Sequence, residues 1–89
     1  MNAKEAVAAA KAHVTNVFGD DLAAPPVLEE IWFGDVEGIW YVTLRVQRRD
    51  LGTVREILGM DGLRDLKVVR LQDHDGKVLS IRNRDMAPA

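Results

Sequence analysis

Residues Leu66 to Arg84, LKVVRLQDHDGKVLSIRNR, constrain the fold more than any other stretch of this chain. Two runs of alternating apolar and polar residues flank Asp73-His74-Asp75-Gly76-Lys77, a pattern that specifies a β-hairpin. With Gly76 in the left-handed position of a three-residue loop, Asp73 pairs with Lys77, Leu71 with Leu79 and Val69 with Ile81. One face then holds Val69, Leu71, Leu79 and Ile81. The other holds Val68, Arg70, Gln72, Val78, Ser80 and Arg82. A two-residue Asp-Gly loop would mix apolar and charged residues on both faces, because a slip of one residue inverts a strand's buried set.

The same reading extends upstream. From Val27 to Arg49 the period is two, with a turn at Val36-Glu37-Gly38. A three-residue loop there puts Asp35 opposite Ile39, Phe33 opposite Tyr41 and Glu29 opposite Arg45. Leu28, Trp32, Trp40, Val42, Leu44 and Val46 then share one face. Val27, Glu29, Ile31, Phe33, Ile39, Tyr41, Thr43 and Arg45 share the other.

Before these strands, Asn2 and Glu5 have capping-box spacing, and Ala3, Val7, Ala10, Val14, Val17 and Phe18 recur at helical spacing. Gly19 suits a C-terminal left-handed residue, so a helix is expected from Ala3 to Phe18. Pro25-Pro26 ends any helical continuation, making Asp20 to Pro26 a linker. A second capping box, Thr53-Val54-Arg55-Glu56, opens a short helix over residues 54–58 that is closed by Gly59. The expected fold is therefore α+β. An N-terminal helix packs on a four-stranded antiparallel sheet made of two hairpins, with a short helix between the hairpins, all in one domain spanning residues 1–89.

Composition removes several function classes. The chain has 89 residues and no cysteine, so disulfides, thiolate metal sites and cysteine nucleophiles are excluded. No apolar run approaches the roughly 20 residues that span a bilayer. The N-terminus lacks a compact apolar segment after a basic start, so the expectation is no signal peptide and a cytoplasmic location. The formal charge of −2 conceals an asymmetry. Residues 1–44 carry two lysines against seven acids, and residues 45–89 carry ten bases against seven acids. This polarity can orient an encounter but does not by itself imply nucleic acid.

The alanine-rich helix, the strand GIWYVTLRV and the closing hairpin together resemble the PepSY-type domain. In that family a helix packs on an antiparallel sheet, and a strand ending in Asp-x-x-x-Gly-x-Val-Leu is the commonest signature. Asp73, Gly76, Val78 and Leu79 stand in those places, with one residue fewer before the glycine. The resemblance implies a role in inhibiting or modulating peptidases and, in many members, export or membrane attachment. This chain differs in its N-terminus and in the added segment from Asp50 to Asp65. Its element order is also similar to that of gas-vesicle protein O, where a helix precedes two hairpins.

No constellation for catalysis is evident, and the expectation is a protein that is not an enzyme and needs no cofactor. Asp73-His74-Asp75 has ligand-type side chains, but Asp and Gly are what a tight turn requires, so no metal site is assigned. Ser80 lacks a glycine-flanked elbow, and Glu29 and Glu30 point to opposite faces of a strand.

The outer sheet face is the candidate site. One amphipathic helix covers one face, which leaves Ile31, Phe33, Ile39 and Tyr41 on the other unless Val54, Ile57 and Leu58 fold over them. Arg45, Arg70 and Arg82 share that face. The expected function is a small protein-binding or regulatory module, with the four apolar residues supplying contact area and the three arginines orienting an acidic partner or a second copy of the chain. The alternatives are a single-stranded nucleic-acid-binding module, disfavoured by the negative charge, and a weak metal-binding or small-molecule-binding domain.

Overall fold

In a computed structural model of the protein, residues 1–47 and 65–84 are described. Helix α1 spans Ala3–Phe18, a 3-10 turn spans Gly19–Asp21, and four strands follow: β1 Val27–Gly34, β2 Ile39–Val46, β3 Asp65–Gln72 and β4 Val78–Asn83. The strands form one antiparallel sheet in the order β1-β2-β3-β4, with α1 packed on one face. The α+β expectation holds. The short helix expected at 54–58 lies outside the described residues.

Helix α1 starts where the capping box places it. Asn2 Oδ1 accepts from the Glu5 backbone N–H at 2.8 Å, and the Asn2 N–H donates to Glu5 Oε1 at 2.9 Å. At its other end Gly19, with φ 52°, donates its backbone N–H to the Thr15 carbonyl. The buried stripe is centred on Ala6, Ala10 and Val14, all fully buried, with Val7, Ala9 and Phe18 at its margins. Small side chains on this stripe let the helix axis come close to the sheet. Val17, expected in the stripe, is instead 57% exposed, while its neighbour Phe18 packs against the core.

Two four-residue rows run through the sheet's half of the core. Ile31, Val42, Val69 and Ile81 are cross-strand partners in sequence across all four strands. Phe33, Trp40, Leu71 and Val78 form the parallel row next to them. Val42, Leu44, Val46, Val69 and Leu71 are fully buried beneath the helix. Lys67 lies on this same face and is only 8% exposed. Its ammonium hydrogen-bonds Asn83 Oδ1 and sits 5.7 Å from the centre of the Phe18 ring, so burial of the stem is compatible with a satisfied charge.

Both hairpin loops are one residue longer than the sequence pattern predicts. Gly34 pairs with Ile39 around Asp35–Gly38, and the Gly38 N–H donates to the Gly34 carbonyl at 2.8 Å. The second loop repeats this, with the Gly76 N–H donating to the Gln72 carbonyl at 2.8 Å. Gly38 and Gly76 both have φ 70°, a conformation that a side chain disfavours. The extra residue moves Phe33 opposite Trp40 rather than Tyr41, so Ile31 and Phe33 face the helix and Trp32 faces outward. In the second hairpin a bulge at Leu79 absorbs the extra residue. Leu71 therefore pairs with Val78 instead of Leu79, Val69 still pairs with Ile81, and Leu79 is left 37% exposed.

Candidate functional site

The outer sheet face is built from rows that alternate with the core rows. Trp32, Tyr41, Arg70 and Ser80 are successive cross-strand partners, one from each strand. The Trp32 and Tyr41 rings stack with centroids 4.3 Å apart and planes 6° off parallel. Arg70 Nε donates to Ser80 Oγ at 2.8 Å, fixing the guanidinium at the other end of the row. The adjacent row is Glu30, Thr43, Val68 and Arg82.

Of the residues expected on this face, Ile39, Tyr41, Arg45, Arg70 and Arg82 are there. Ile31 and Phe33 are not. They belong to the core rows, for the loop-length reason above, and Trp32 takes their place at 52% exposure. Glu29, expected opposite Arg45, bulges out of the ladder, yet its carboxylate still lies 3.3 Å from Arg45 Nη1. Arg84, just beyond β4, spans the face and meets Glu30 of β1 at 2.8 Å, a contact that strand spacing alone does not suggest.

These residues enclose a shallow pocket of about 390 Å³ lined by Tyr41, Val68, Arg70, Arg82, Asn83 and Arg84. Its floor is the Val68 side chain, the Tyr41 ring and arginine methylene stems, and its rim is cationic. Arg82 has no hydrogen-bond or ion-pair partner among the described residues. An apolar floor with guanidinium groups around it suits an anionic group carried on an apolar body.

Gly34 makes room at the end of this face. A Cβ there would lie 2.7 Å from Glu37 Oε2 and 3.3 Å from Tyr41 Cε2. Glu37 can therefore fold back, and the Tyr41 hydroxyl donates to its Oε2 at 2.7 Å. This bond to a carboxylate raises the Tyr41 pKa above its ordinary value, with partial desolvation adding to the effect. A raised pKa means the contact stabilises below pH 10 and is lost as pH climbs through the folded value. Tyr41 is the sole tyrosine, so ultraviolet titration should give one phenolate midpoint above 10, falling back toward 10 in Glu37→Gln.

The turn carboxylates are occupied with structure. Asp73 Oδ1 accepts from Trp40 Nε1 at 2.8 Å, and Asp75 Oδ1 accepts from the Lys77 backbone N–H at 2.9 Å. Among the described residues no three metal-ligating side chains of His, Cys, Asp or Glu converge, and no helix is long and apolar enough to cross a membrane.

Fold and site together define a helix-backed four-stranded meander with an aromatic and arginine-lined open face. Comparison with protein-family models, curated proteins and solved structures finds no match to this chain.

Proposed function

We infer that this chain is a non-enzymatic protein-binding module whose outer sheet face receives an acidic segment of a partner protein. The supporting observation is the pocket bounded by Tyr41, Val68, Arg70, Arg82 and Arg84. Its cationic rim would take a carboxylate, and its apolar floor would take an adjoining apolar side chain. Arg82 supports the reading because its guanidinium lacks a partner among the described residues, whereas Arg45 and Arg84 are already paired with Glu29 and Glu30.

Single-stranded nucleic acid fits less well. The chain's formal charge of −2 opposes a phosphate backbone, and the mutual stack of Trp32 and Tyr41 leaves at most one ring face of each for a base.

Selection from a random peptide display library tests the reading. Enriched peptides should combine acidic with apolar residues, and Arg70→Glu/Arg82→Glu should weaken the best of them at least about 30-fold, since opposed like charges cost several kcal/mol. Enrichment of neutral or basic peptides would contradict it. So would tighter, steeply salt-dependent binding of oligothymidine.

A further inference from the structure

We propose that β1 is a docking edge for a second copy of this chain, the two β1 strands pairing antiparallel about a two-fold axis at Trp32. The reasoning is independent of the pocket.

Among the described residues β1 is an edge strand, and an unpaired edge is a template for another strand unless something blocks it. β4, the opposite edge, is blocked by the bulge at Leu79 and by Arg82. On β1 the bulge at Glu29 blocks only the first half. From Ile31 to Gly34 the edge has no charge, and Trp32 and Phe33 are 52% and 37% exposed.

Backbone direction selects the register. The Gly34 carbonyl points inward, because it accepts from the Gly38 N–H. Alternation along the strand then turns Trp32 inward as well, and points the backbone groups of Ile31 and Phe33 outward. With Trp32 facing its own copy, Ile31 of each chain meets Phe33 of the other, and each such pair exchanges two hydrogen bonds. Centring one residue earlier would send Phe33 against the bulged Glu29. Centring one later would send Ile31 against Asp35 in the loop. Only the Trp32 register keeps both outward-facing residues paired inside the strand.

Side chains agree with this choice. Directly opposed residues must lie on the same face. Ile31 and Phe33 both face the helix side, so the apolar row Ile31-Val42-Val69-Ile81 of one copy would run into Phe33-Trp40-Leu71-Val78 of the other. On the outer face the Trp32-Tyr41-Arg70-Ser80 row would meet its own mirror order at two Trp32 rings. Glu30 falls opposite Gly34 and its carboxylate is already paired with Arg84, while Glu29, next in register and opposite Asp35 of the loop, has its carboxylate 3.3 Å from Arg45. The exposed parts of Trp32 and Phe33 offer on the order of 100 Å² each. The interface is therefore small and its occupancy concentration-dependent.

The absence of cysteine makes the test direct. Across such an axis the two Trp32 Cα atoms would be about 4.5 Å apart, within disulfide range. Trp32→Cys should oxidise to a covalent dimer faster than Val36→Cys, although Val36 is 94% exposed. Because Trp32→Cys also removes the stack, a mixture of Ile31→Cys and Phe33→Cys provides a second reading. It should give more cross-linked product than either variant alone. Wild-type protein should sediment with a mass that rises with concentration from 9.9 kDa toward twice that value, and Phe33→Lys should stay monomeric. Three results would overturn the proposal: a wild-type monomer at millimolar concentration, fastest cross-linking at Val36, or growth past the dimer into filaments. The last would indicate β1 pairing with β4.

Discussion

Leu44→Ala should lower the unfolding free energy by about 3 kcal/mol, because deleting a fully buried leucine loses its transfer energy and leaves a cavity. Leu44 is among the largest fully buried side chains of the sheet and lies on β2, an inner strand with partners on both sides. Its register partners are Leu28 and Lys67, and its neighbours on the same face, Val42 and Val46, are also fully buried. β2 and β3 are locked by ladders on both edges, so the backbone has little freedom to close around a void. In a domain of this size such a loss corresponds to about 15 °C in Tm. It is also a large share of the 5–15 kcal/mol typical of native domains. Val36→Ala, at a site 94% exposed, should change stability by less than about 0.5 kcal/mol. Urea melts followed by circular dichroism would compare the two. Equal midpoints would mean that β2 is not the centre of the core.

Local signals in the sequence carried most of the fold. The capping box at Asn2 and Glu5 and the glycine at 19 bounded α1 as the structure has it, because both act within one helical turn. The alternation of β2 and β3 assigned their faces, since inner strands must satisfy core and partner together. What the sequence left open was loop length. Asp-x-x-Gly closes three-residue and four-residue loops alike, with glycine at positive φ in either case. Both loops here, Asp35–Gly38 and Asp73–Gly76, are of the longer kind.

A one-residue error inverts a strand, but each hairpin also has a bulge that restores parity. At Leu79 the restoration comes almost at once, so plain alternation pairs Val69 with Ile81 as the structure does. At Glu29 it comes late, so plain alternation puts Leu28 on its observed face but Ile31, Trp32 and Phe33 on the opposite ones. The candidate site inherited that inversion. Tyr41, Arg45 and Arg70 stand on the inner strands, and Arg82 lies beyond the Leu79 bulge, where parity is restored. Alternation assigns Trp32 to the core, and the contact of Arg84 with Glu30, made from beyond the end of β4, follows from no spacing along the chain.

Trp40→Ala should also cost about 3 kcal/mol, and the way this loss divides would show how the two hairpins are tied together. The Trp40 ring packs against Phe33 with centroids 4.7 Å apart, and its indole N–H donates to Asp73 in the second loop. A backbone bond runs beside it, from the Asp73 N–H to the Gly38 carbonyl at 2.9 Å, so the two loops are stapled at one end of the sheet. Trp40→Phe keeps an aromatic body in the Phe33-Trp40-Leu71-Val78 row and removes only the donor. It should retain most of the stability that the alanine variant loses. The Asp73 carboxyl separates the two contributions. Donation from the indole holds its pKa below the ordinary carboxylate value. A depressed carboxyl stabilises above the unfolded pKa of about 3.9, and the contribution fades as pH falls through the lower folded value. In wild-type protein the Trp40 indole resonance should therefore shift with a midpoint below the ordinary carboxylate value, whereas in Trp40→Phe the Asp73 titration should move up toward its ordinary position. An unchanged Asp73 titration in that variant would leave the Gly38 bond as the staple and the indole as packing alone.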